Sequence, residues 1–208
     1  MSDELDVEEL QQELATIKDA MGLRDRYPSQ FQLWLVYGIL VTLASLGSQA
    51  IAVFELPGWG HIVSWGGFMT LGSVYQYLWL DGQPGDDGNS DAKPSIALQY
   101  VAVLVYAVLV VWLLLPTLDS LAAVRASSTI FAVAVGAVGL AYLLAGNALR
   151  AYYIRRRDRL AFYLGGAWML GLAAVIPSVS ALQRWGYAIF GIAFGLHAIV
   201  SYYVLAQG

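Results

Sequence analysis

The sequence predicts an all-α, polytopic integral membrane protein: six transmembrane helices in a bundle, arranged as three hairpins and preceded by a cytoplasmic amphipathic helix. Three observations carry this. Of 208 residues, 59% are hydrophobic and 12% charged, whereas an ordinary soluble domain holds about 45–50% apolar and 25% charged residues. The apolar residues gather in runs of about 20, the length that crosses a ~30 Å hydrocarbon core. The charges collect between those runs, although mean hydropathy over the whole chain is already +0.61. A soluble enzyme and a disordered tail are excluded by this composition. Cysteine is absent, which removes disulfides, thiolate metal sites and cysteine nucleophiles. A net charge of −4 offers nothing to attract nucleic acid.

The six expected spans are Phe31–Phe54, His61–Leu80, Ile96–Leu115, Ser128–Ala148, Leu160–Ile176 and Gly186–Ala206. Turn-forming residues break the runs at Leu56-Pro57-Gly58, across 81–94, after Pro116, in the arginine run and after Pro177. Pro57, Pro116 and Pro177 lie 59 and 61 residues apart, as three hairpin turns would. Orientation follows from Lys and Arg, because cationic flanks resist translocation. With the N-terminus inside, inner segments carry nine of them: Lys18, Arg24, Arg26, Lys93, Arg150, Arg155, Arg156, Arg157 and Arg159. Outer loops carry Arg125 and Arg184. Both termini are thus expected in the cytoplasm of a cell whose plasma membrane holds the protein. The opening Met1-Ser2-Asp3-Glu4 has no basic, apolar-cored leader pattern, so no cleavable signal is expected.

Residues 1–30 form a separate unit ahead of the membrane domain, residues 31–206. Val7, Leu10, Leu14, Ile17 and Met21 are spaced 3, 4, 3 and 4, the a/d seam of a coiled coil. Residues 1–22 carry seven carboxylates and one lysine, a face that anionic headgroups repel. A self-associating helix fits better than one lying on the bilayer, and the partner expected is a second copy or another membrane protein.

Chemistry at membrane depth needs ionisable or strongly polar groups. The interiors of the six spans hold no Asp, Glu or Lys, so a carboxylate proton or sodium relay is not expected. Ser45 and Gln49 in the first span, Ser73 and Gln76 in the second, and His197 in the last could line a polar pathway. The alternative for these residues is hydrogen bonding between helices, the commoner use. His61 opens its span while His197 lies about eleven residues into another, a depth difference on the order of 15 Å. That separation does not suit the axial ligands of one haem, and no cofactor is expected. The loop Asp81–Asp91 is acidic and Gly-rich but lacks the closing Glu of an EF-hand, so it reads as a solvated linker. Arg150, Arg155, Arg156, Arg157 and Arg159 anchor a hairpin inside and are candidates for contacting anionic lipid.

Small residues recur where helices must meet, including Gly191-xxx-Gly195 and Ala132-xxx-Gly136, and allow close backbone approach. The third span is nearly all large apolar residues and should face lipid. No Ser-His-Asp set, HExxH, P-loop or dinucleotide glycine pattern occurs, so enzymatic activity is not expected. The expected role is a small scaffold or accessory membrane protein, self-associating through its N-terminal helix and small-residue faces. The alternative is a channel or facilitator for a small neutral solute.

Overall fold

The computed structural model describes residues 29–79, 96–118, 120–121, 123–150 and 156–206. The heptad positions Val7, Leu10, Leu14, Ile17 and Met21, the acidic loop and Arg155 lie outside the described residues. Those described form six α-helices and no strand: α1 Ser29–Val53, α2 Trp59–Trp79, α3 Ile96–Leu118, α4 Ala123–Ala148, α5 Arg156–Val175 and α6 Ser180–Ala206. Five contain stretches long and apolar enough to cross a membrane: Leu33–Val53, Leu98–Leu118, Val124–Ala148, Arg159–Ser178 and Ser180–Ala206. The protein is therefore helical and membrane-embedded. Helix α2 has the length, at 21 residues. Its His61, Ser64, Gly66, Gly67, Thr70, Gly72, Ser73 and Gln76 keep it out of that set of five.

Several helices extend beyond the apolar runs. Helix α4 begins at Ala123, α5 at Arg156 and α6 at Ser180, each four to six residues before the expected span. The backbone keeps its hydrogen bonds past the hydrocarbon boundary, so hydropathy marks the bilayer and not the helix end. Pro116 is a second correction. It lies inside α3, which continues to Leu118; this near the C-terminus a missing N–H costs one bond and the ring breaks nothing further. Pro177 sits in a 3-10 turn, Ile176–Ser178, and Val179 alone separates that turn from α6. Helix α1 ends differently. Glu55 adopts φ 52° and the Leu56 amide donates to the Ile51 carbonyl at 2.9 Å, a left-handed closure of the Schellman kind.

Phe190 and Phe194 of α6 lie at the centre of the main core, with Val41 of α1, Phe131 and Val135 of α4, and Met169 of α5. Phe131 packs on Phe190 edge to face at 5.8 Å, and Trp168 lies 5.9 Å from the same ring. Trp168, a tryptophan in mid-span where no interface would hold it, thus packs against a neighbouring helix. Helix α3 touches this assembly through Val103, which packs with Ala137 and Ala141 of α4. Only 11% of its apolar window is buried, in line with a lipid-facing span.

Candidate functional site

The polar residues of α1 meet α6 along an antiparallel seam. Gly38 faces Ala198, Thr42 faces Gly195, and Ser45 faces Gly191; Gln49 reaches Arg184 and Ala188. Residue numbers in each facing pair fall on one side as they rise on the other, with spacings of 4, 3 and 4 along α1. Small side chains at those positions let the two backbones approach, since a Cβ added to Gly38 would lie 2.5 Å from that of Ala198. Close approach brings the α6 carbonyls within reach. The Thr42 hydroxyl sits 2.7 Å from the Gly38 carbonyl in its own helix and 2.9 Å from the Gly191 carbonyl across the seam. Its single proton is shared between the two.

Gln49 is 6% exposed and closes one end of the seam. Its Nε2 donates to the Arg184 carbonyl at 2.9 Å, and its Oε1 accepts from the Ala188 amide at 3.2 Å. Those two backbone groups are the acceptor and donor of one helical rung, i and i+4. A side-chain amide is the one uncharged group long enough, with both a donor and an acceptor, to satisfy such a pair at once. Gln49 therefore works as a clasp between helices.

Ser45 and Ser48 are fully buried, and their hydroxyls lack a partner among the described residues. For Ser48 the reason is visible. The carbonyl four residues back belongs to Ala44, and it already accepts the Ser64 hydroxyl of α2 at 3.0 Å. On α2, Ser73 is exposed and its hydroxyl donates to the Met69 carbonyl at 3.1 Å. Gln76 lies three residues further along that helix. Ser45 and Gln49 are thus brought together on α6, whereas Ser73 points away from them.

His197 stands apart from both. Its ring lies edge-on to Trp34 at 5.7 Å and to Trp168 at 6.2 Å, and Tyr142 packs beside it, with centroids 6.2 Å from Trp34 and 6.1 Å from Phe194. The imidazole lies against α5, where a Cβ added to Gly165 would stand 2.7 Å from its Nε2. Among the described residues no three His, Asp or Glu gather as a metal site. The outward side of the α1–α6 seam holds an apolar groove of about 430 Å³ between Leu35, Ile39, Leu43, Ile192, Leu196 and Ile199.

Of the arginines, Arg150 is exposed beyond the end of α4, and Arg156, Arg157 and Arg159 lie in the first turn of α5. Sequence reasoning did not single out Tyr142. A signal existed for the seam, because Gly38, Thr42, Ser45 and Gln49 share one helix face. The chain matches no known protein family, no curated protein and no solved structure.

Proposed function

We propose that the protein is a membrane scaffold or accessory subunit that crosses the bilayer six times, with both termini in the cytoplasm of a cell whose plasma membrane holds it, and assembles with further copies of itself. Helix α2 counts as a span in this reading because it packs along α1, where Gly60 meets Ile51 and Gly72 meets Tyr37 and Leu40. The observation that carries assembly is a repeated pattern. Gly66, Thr70 and Ser73 of α2 have the same order and spacing as Gly38, Thr42 and Ser45 of α1. On α1 that face lies against another helix. On α2 it is turned outward, and nothing lies within 4 Å of where a Gly66 Cβ would stand.

The α2 hydroxyls are prepared for burial. Thr70 donates to the Gly66 carbonyl at 2.7 Å, as Thr42 does to Gly38, so covering the face strands no polar group. A twofold axis along the membrane normal would bring the α2 faces of two copies together, an isologous contact. The N-terminal heptad seam would join the same copies in the cytoplasm, helped by the high effective concentration that tethering provides. Transport of a neutral solute is less well supported, because Ser45 and Gln49 are buried against α6 and Ser73 is not beside them.

Changing Leu14 and Ile17 together to aspartate places charges at two a/d positions. The detergent-solubilised particle should then become smaller by size-exclusion light scattering. An unchanged mass would remove the N-terminal seam from the proposal.

A further inference from the structure

The α1–α6 seam is closed at its floor and open at its rim. Gly38, Gly195 and Ala198 form the floor, where a Gly38 Cβ would stand 2.5 Å from that of Ala198. The rim is built of branched side chains, Leu35, Ile39 and Leu43 on α1 facing Ile192, Leu196 and Ile199 on α6. All of these but Leu35 are exposed, while Trp34 and Val41 turn to the core, so the groove opens to the hydrocarbon. Thr42 is the polar side chain in the lining, and its hydroxyl is taken by the Gly38 and Gly191 carbonyls. The groove therefore has nothing to offer a polar ligand.

Its dimensions choose among apolar occupants. The eight-residue advance from Leu35 to Leu43 makes a channel about 12 Å long at 1.5 Å per residue. A volume of about 430 Å³ over that length leaves a cross-section on the order of 36 Å². A helix with its side chains is about 10–12 Å across, on the order of 80–110 Å², so it would rest on the rim and leave the channel void. A void forfeits dispersion contacts on every wall. A polymethylene chain, one carbon wide, enters. The length agrees, because the channel runs from near the N-terminal end of α1 toward its middle, and one leaflet of a ~30 Å core is about 15 Å deep. At the mouth, Tyr203 follows Ile192, Leu196 and Ile199 on one face of α6 at spacings of 4, 3 and 4, and it is exposed. A tyrosine at that end of a span sits at headgroup depth.

We propose that the groove holds one acyl chain of a phospholipid from the leaflet bordering the N-terminal end of α1, with the headgroup beside Tyr203. This needs neither the pairing of α2 nor a particular orientation of the protein in the membrane. Full-length protein in phosphatidylcholine vesicles is irradiated with a trace of phosphatidylcholine carrying a diazirine on one acyl chain, and adducts are mapped by fragmentation mass spectrometry. Helix α3, exposed along most of its length, reports ordinary boundary lipid. The rim residues should be labelled several-fold more than residues 101–113 of α3. A diazirine near the carboxyl end should mark Leu35 and Ile199, and one near the methyl end Leu43 and Ile192. Ile39→Ala with Leu196→Ala removes two exposed walls and should bring rim labelling down to the α3 level with helical content unchanged. Rim labelling equal to that of α3 in the unsubstituted protein would mean boundary lipid only, and labelling below it would mean that a second copy covers the seam. Either result, a reversed order along the groove, or an excess that survives both alanines would overturn the proposal.

Discussion

Replacing Gly166 with alanine is expected to lower the thermal midpoint by about 6–12 °C, the shift that roughly 3 kcal/mol produces in a chain of this size. The added Cβ would stand 2.6 Å from the Gly139 carbonyl oxygen and 2.7 Å from Leu143. Overpacking typically costs about 1–3 kcal/mol. Here the upper end applies, because one obstacle is backbone and yields only if α4 and α5 move apart. Gly171 of α5 provides the control: nothing lies within 4 Å of its added Cβ. Gly171→Ala should leave the midpoint unchanged or raise it slightly, since alanine is the better helix former by about 1 kcal/mol. Differential scanning fluorimetry in detergent separates the two, and equal behaviour would mean that α4 and α5 do not cross at these residues.

The second large effect tests the α1–α6 register. Gly38→Ala puts two Cβ atoms 2.5 Å apart, its own and that of Ala198, and should cost about 2–3 kcal/mol. Adding Ala198→Gly returns the contact to one Cβ and should recover most of the loss, less about 1 kcal/mol for a glycine in a helix. Recovery of this kind is a coupling between neighbours. It does not arise if the two residues belong to separate parts of the bundle, and strict additivity would refute the seam.

The fold was largely legible because the bilayer imposes one length and one solvent on every span. Helix ends were less so: Arg125, Arg159 and Arg184 lie within helices that hydropathy alone would start later. Pro116 misled for a related reason, since a proline in the last turn disturbs little. In the site, the shared face of Ser45 and Gln49 could be read from their spacing, but the helix they meet could not. Gln49 and Arg184 are 135 residues apart, and no local pattern pairs them. The same limit applied to His197, whose ring neighbours Trp34 and Trp168 lie on α1 and α5.

The central claim is that α2 presents to a second copy the face that α1 presents to α6. Single-molecule photobleaching of fluorescently tagged full-length chains in lipid vesicles at low density counts the copies directly. The unsubstituted protein should bleach in two or more steps. Gly66→Leu with Thr70→Leu, at two exposed positions of which the first has nothing within 4 Å of an added Cβ, should shift the population to one step while the helical content stays the same. A one-step population in the unsubstituted protein, or a multi-step population that survives both leucines, would contradict it.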